Sequence, residues 1–170
     1  MILGLDLSTR YVGYCLLTEN EKFIDIGYLD LTKQKSLYKK LDKFSELIHK
    51  LREKYVNLVP FVEAPLFGSN NQNVVNLLQR ANGMYCLELY RILKKEPILI
   101  TNRDALKAAG IKVPKGTKGL DRKKYILQYV QSLGTISPDK WTLKKTGNPK
   151  DWCYDQADAY IVCLAGAKRT

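Results

Sequence analysis

The sequence predicts an α/β protein built on one five-stranded mixed sheet: an antiparallel meander of strands 1–3, then parallel strands 4 and 5, with helices on both faces. Two patterns carry this. The first 31 residues hold three apolar runs separated only by short polar turns, as a meander requires. Beyond residue 36, helical periodicities alternate with two further short apolar runs, as parallel strands joined by crossover helices require. The 170 residues, 45% hydrophobic and 26% charged, suit a single domain spanning 1–170.

The elements follow in order. "MILGLDL" is a nearly all-apolar first strand, which suggests a central position covered on both sides. "STRY" turns the chain into a second strand, "VGYCLLT", and "ENEK" into a third, "FIDIGYLDL". From 36 to 55, Leu37, Leu41, Phe44, Leu47, Ile48 and Leu51 recur every three or four residues, an amphipathic helix with Ser36 as its N-cap. "LVPFVEA" is the fourth strand, with Glu63 at its end, and "PLFGSNNQN" a polar loop. A second helix covers 74–95, and "PILIT" is the fifth strand. A short helix at 102–109 is followed by the loop "GIKVPKGTKGL", a helix at 121–133, an irregular stretch over 134–151 and a last helix over 152–167.

Several function classes are excluded or disfavoured. No apolar run reaches ~18 residues, so no membrane span is expected. The first residues lack a basic region ahead of their apolar run, which argues against a signal peptide. Cys15, Cys86, Cys153 and Cys163 form no C-x-x-C pair, and His49 is the sole histidine, which disfavours a Cys/His zinc site. Buried thiols in a reducing compartment are the simpler expectation. Charge points elsewhere. The net charge is +11, and residues 101–150 alone hold twelve basic and three acidic side chains. An excess this local suggests a polyanionic partner.

Against that background four carboxylates stand out. Asp6 interrupts the apolar first strand, pointing away from the face that Leu5 and Leu7 share. Glu63 ends the fourth strand, where ligand sites of α/β sheets gather. Asp155 and Asp158 lie three apart on the last helix, hence on one side of it, beside the apolar positions Ala159, Val162 and Cys163. Like charges this close repel, and a hard divalent cation turns that repulsion into shared coordination. Two Mg²⁺ ions (or Mn²⁺) on Asp6, Glu63, Asp155 and Asp158 would suit phosphodiester hydrolysis. Each carboxylate also has an ordinary role open to it. Asp155 could cap its helix, Asp158 could pair with a lysine, and Asp6 could bond the following turn.

The segment "GLDLSTRYVGYCLL", with Asp6 and Gly13-Tyr14, resembles the first strand and hairpin of RuvC-like Holliday junction resolvases, members of the RNase H-like superfamily. "FVEAPLF" is similar to that family's second acidic motif. "LLQRANGMYCLELYR" resembles the helix after it, and "DQADA" the C-terminal D-x-x-D-A. Leu7-Ser8 stands where bacterial members usually have Pro-Gly, which suits a phage-type or otherwise divergent member. The resemblance implies an RNase H-like fold and a Mg²⁺-dependent crossover junction endodeoxyribonuclease. Such an enzyme acts as a homodimer on branched DNA, in the cytoplasm of a bacterial or phage-infected cell. It implies Asp6, Glu63, Asp155 and Asp158 as catalytic metal ligands. It offers Lys107, Lys118, Arg122, Lys123 and Lys124 as DNA-contacting cations, and Phe67 as the aromatic that wedges at the crossover. Phe67 could equally pack on the second helix, and the stripe through Met84, Tyr85 and Leu89 could be core or dimer interface. Three alternatives remain: a nuclease of broader branched-DNA or RNA–DNA hybrid specificity, a non-catalytic DNA-binding module, and an actin-like ATPase. The last would need two such domains and far more chain than 170 residues.

Overall fold

The structure, a computed structural model, describes residues 1–65 and 71–170. Strands β1 (Ile2–Leu7), β2 (Tyr11–Leu17) and β3 (Phe23–Asp30) form the antiparallel meander, and β4 (Val59–Glu63) and β5 (Ile98–Ile100) add in parallel on the other side of β1. The sheet order is β3-β2-β1-β4-β5, so β1 is the central strand its apolar run predicted.

Alternation along β1 divides the core. Leu3 and Leu5 point to one face, where they meet Phe44 and Ile48 of α1 (Leu37–Lys54) and Tyr85 and Leu89 of α2 (Gln72–Leu93). Ile2 points to the other, joining Cys15, Leu17 and Phe61 beneath α5 (Trp152–Ala167), with α3 (Asn102–Ala108) and α4 (Gly119–Ser132) flanking it. Ser36 caps α1 by accepting from the Tyr38 N–H at 3.2 Å. α2 begins two residues before the sequence pattern suggested, because Asn71 accepts from the Val74 N–H at 3.3 Å and caps it there. Within 134–151 a short 3₁₀ turn (Pro138–Lys140) and a bridge between Leu143 and Pro149 give local order, and Ile136 and Trp141 anchor the stretch in the core.

α5 is buried along its length from Cys153 to Ala167. Two glycines allow it to lie flat on the sheet. A Cβ on Gly4 would come within 2.5 Å of the Ala159 carbonyl and the Cys163 Cβ. One on Gly13 would strike the Asp155 carbonyl and sit 2.9 Å from the Gln156 nitrogen. The backbone of α5 therefore occupies the space that side chains at 4 and 13 would fill, and this fixes its first turn over β2 and its middle over β1. Cys15, Cys153 and Cys163 are buried and Cys86 is half-buried, all unbridged.

Candidate active site

Asp6 shares the side of β1 that carries Ile2 and Gly4, so its carboxylate rises toward α5. β1 and β4 run parallel with Leu5 opposite Val62. The next residues, Asp6 and Glu63, therefore leave the sheet side by side. The turn after Asp6 is closed without the Pro-Gly of the bacterial pattern. The Ser8 hydroxyl donates to the Tyr11 carbonyl at 2.6 Å and accepts from the Arg10 and Tyr11 N–H groups at 3.2 and 3.1 Å. From above, α5 brings in Asp155 and Asp158, which are 8% and 6% exposed.

Carboxylate oxygens of Asp6, Glu63 and Asp158 lie within 4.8 Å of one another. Asp155, one turn earlier on α5, stands beside this trio and faces Lys123 of α4, whose ammonium is 3.4 Å from its Oδ1 and 4.0 Å from Asp158 Oδ2. Burial, then Glu63, Asp158 and Asp155, push the Asp6 carboxyl well above its ordinary range. Asp158 is pushed up to about 7, first by burial and then by Glu63. Burial also raises Asp155, although Lys123 counteracts it. Burial pulls the Lys123 ammonium down, but Asp155, Asp158 and Asp6 together hold it above its usual value. Lys123, with Arg122 acting on Asp158, thus balances a cluster of four carboxylates only in part. The set consists of hard oxygen donors, half-buried at Asp6 and Glu63 and buried at Asp155 and Asp158, mutually repelling, and it fits a divalent ion such as Mg²⁺ or Mn²⁺. Asp6, Glu63 and Asp158 could hold one ion, with Asp155 available to a second.

These groups line a cleft of about 230 Å³, which Leu78 and Asn82 of α2, Ser8, Pro65, Asn102, Arg122 and Ile126 complete. Two of the expected cations belong to it. Lys123 contacts the carboxylates directly, and Arg122 donates to Asn102. Lys107 lines a neighbouring cavity that shares Asn102 and Arg122 with the first. Lys118 is exposed at the start of α4, and Lys124 is exposed and 3.9 Å from Asp121. Phe67 lies outside the described residues. Met84 is half-buried, whereas Tyr85 and Leu89 are fully buried core, as their spacing allowed, and His49 is exposed.

One site residue escaped the sequence reading. Asn102, first residue of α3, donates from Nδ2 to Glu63 Oε1 at 2.7 Å and accepts from Arg122. It joins a carboxylate on β4 to a guanidinium on α4. Its position directly after the β5 run was the only local signal, and its meeting with Glu63 follows from the register of β5 on β4.

No protein-family model matches the chain. Curated relatives are crossover junction endodeoxyribonucleases RuvC. That of Christiangramia forsetii is 38% identical over 87 residues, which is 49% of this chain and 45% of that protein. That of Cytophaga hutchinsonii is 37% identical over 87 residues, 49% of this chain and 43% of that one. That of Bacteroides fragilis is 34% identical over the same length, 49% and 46% of the two chains. The match spans just under half the length of these relatives. Among solved structures, Thermus thermophilus RuvC in complex with Holliday junction substrate superposes with a TM-score of 0.64 at 9% identity, over 96% of this chain and 90% of that one. Another structure of T. thermophilus RuvC gives 0.64 at 10% identity, over 96% and 91%. The chain therefore has the RNase H-like fold of RuvC, and in sequence it is similar to the RuvC-like resolvases.

Proposed function

We propose that the chain is a RuvC-like resolvase, a single nuclease domain over residues 1–170 that cuts four-way DNA junctions by metal-dependent phosphodiester hydrolysis. The observation that supports this most is the meeting of Asp6, Glu63 and Asp158 oxygens within 4.8 Å, at one end of a sheet whose fold is that of a resolvase. Asp6, Glu63, Asp155 and Asp158 would hold two Mg²⁺ ions, with Mn²⁺ able to replace them. Ions bound there would supply a nucleophilic water near neutral pH and offset charge on the phosphoryl oxygens.

The chain's own residues do the rest. Asn102 fixes the Glu63 carboxylate in rotation, and the same amide holds Arg122 at the rim of the cleft. Lys123 already sits among the carboxylates, and its ammonium meets a phosphate oxygen entering the cleft, lowering the cost of bringing an anion to an acidic site. Lys107, Lys118 and Lys124 bind flanking phosphates as point charges, and Phe67 wedges at the crossover.

A four-way junction offers two equivalent strands, so a two-fold dimer is the economical reader of it. The outward side of α2 supports such a pairing. Leu77, Leu87 and Tyr90 are 42%, 50% and 49% exposed there, apolar surface that a second copy would cover. No helix among the described residues is long and apolar enough to cross a membrane, and a DNA-cutting enzyme of this kind works in the cytoplasm of a bacterial or phage-infected cell.

The test is substrate choice. The protein is incubated with Mg²⁺ and, separately, a labelled four-way junction, a replication fork, a linear duplex and an RNA–DNA hybrid. Paired nicks on the junction, with the others spared, are expected. Equal cutting of fork and junction would make it a general branched-DNA nuclease, and cutting of the hybrid alone would replace the resolvase reading.

A further inference from the structure

The carboxylate cleft has a neighbour that the resolvase reading leaves unused. Across the sheet Asp6 pairs with Gly13, and Gly13 with Tyr28. Directly opposed residues of adjacent antiparallel strands direct their side chains to the same face, so Tyr28 stands on the face where Asp6 stands. Two strand spacings separate them, about 10 Å. Trp152, three residues before Asp155 on α5, lies on Tyr28. The two rings stack with centroids 4.5 Å apart and planes 12° from parallel. Tyr11 meets the same indole edge-on at 5.7 Å.

Cations border these rings. The Lys150 ammonium is 5.4 Å from the centre of the Trp152 ring, and the Arg10 guanidinium 5.6 Å from that of Tyr11. Lys150 makes no ion pair among the described residues, whereas Arg10 reaches Asp151 only at 4.0 Å. Tyr28 is 36% exposed and sits on β3, the strand that closes this edge of the sheet. A core needs neither a tyrosine at its margin nor a lysine over its tryptophan. A nucleic-acid strand uses both, because every base has a face that stacks on an aromatic ring and every phosphate attracts a cation.

We infer that Tyr28, backed by Trp152, is a stacking platform for one unpaired or unstacked base of the strand that crosses the carboxylate cleft, with Lys150 and Arg10 on the adjoining phosphates. The inference rests on the nuclease reading for the polarity of the site. At about 10 Å from Asp6 the platform meets a base within a few nucleotides of the cut, where the strand is no longer held in a regular duplex. It would give the enzyme a means of favouring substrates whose bases are already free near the crossover.

The experiment uses the full chain and four-way junctions carrying 2-aminopurine at successive positions around the cut. Binding is read by anisotropy without metal, and stacking by quenching of 2-aminopurine. The wild type should quench the probe at one position a few nucleotides from the cut. Tyr28→Ala should lose that quenching and bind about tenfold more weakly, with an unchanged dependence of log K on log salt. Tyr28→Phe should behave as wild type. Tyr28→Leu, which keeps apolar cover over Trp152, should melt as wild type does and still lose the quenching. Lys150→Ala should flatten the salt slope by about one unit. Quenching that persists in both Tyr28→Ala and Tyr28→Leu, or binding by both within twofold of wild type, would overturn the platform. A wild type that cuts junctions in Mg²⁺ while these variants bind normally removes the platform alone. A wild type that binds but never cuts removes the nuclease reading instead.

Discussion

Gly13→Ala is the substitution most informative about how the fold builds the site. Gly13 lies in β2 opposite Asp6, and the added Cβ would fall 2.9 Å from the Gln156 nitrogen and closer still to the Asp155 carbonyl. Ordinary contact begins near 3.4 Å. Both atoms are helix backbone, so no side chain can swing aside, and the first turn of α5 must lift by about 1 Å. Such overpacking costs roughly 1–3 kcal/mol, which for a chain of this size lowers Tm by about 3–10 °C. Asp155 and Asp158 ride on the displaced turn. A misplacement of that order at a reacting centre costs up to about 10²-fold in rate, so cleavage should fall much further than stability does. Thermal melting, Mg²⁺ titration and single-turnover junction cleavage on the same preparation separate these effects. Unchanged Tm together with unchanged cleavage would show that α5 does not rest on β2 as described, and would refute the account of how Asp155 and Asp158 are positioned.

Other consequences concern charge, hydrogen bonding and assembly. Asp158 has its carboxyl pushed up to about 7 from an ordinary 3.8, so without metal the folded chain binds more protons than the unfolded one between those values. The contribution of this group to metal-free stability is then fully present below about pH 4 and is lost as pH rises to about 7. Asp6, raised by burial and then by Glu63, contributes in the same direction; the difference in Tm between wild type and Asp158→Asn should change across this window, and a difference that stays constant with pH would contradict the clustering. Added Mg²⁺ should raise Tm more at pH 8 than at pH 5, since it binds the ionised set. Asn102→Ala removes the amide that bonds Glu63 and Arg122; a bond to a charged group is worth about 1.5–3 kcal/mol, so cleavage should slow at least tenfold with weaker Mg²⁺ binding, and wild-type rates would exclude a positioning role. Leu87→Glu on the outward side of α2 should convert a dimer to a monomer in sedimentation without lowering the Tm of the monomer, and a sedimentation profile unchanged from wild type would place the pairing elsewhere.

Much of the fold was legible because local pattern decided it. The apolar run 1–7 and its polar interruption at Asp6 gave both a central strand and a candidate ligand, since a charge in such a run is too costly without a partner. The D-x-x-D spacing likewise placed Asp155 and Asp158 together whatever the surrounding packing. What stayed hidden depends on distant register. The part Asn102 plays follows from β5 lying parallel to β4 with Ile100 opposite Glu63, a pairing that no local pattern encodes. The basic third of the chain presented five candidate cations of similar appearance. Only the docking of α4 against α5 separates Lys123, which reaches Asp155 and Asp158, from Lys124 one residue on, which turns to Asp121. The aromatic group of Tyr11, Tyr28 and Trp152 escaped for the same reason: its members come from two strands and a helix more than 120 residues further along the sequence.

Metal held by Asp6, Glu63, Asp155 and Asp158 for cutting branched DNA is the core of the proposed function. It is tested most directly by mapping cuts on all four strands of a labelled junction, with wild-type protein and Asp6→Asn, in Mg²⁺ and in EDTA. Paired cuts in two opposed strands are expected with wild type in Mg²⁺, none in EDTA, and none with Asp6→Asn although it still binds the junction. Cutting by Asp6→Asn at the wild-type rate, or cutting that survives EDTA, would contradict it.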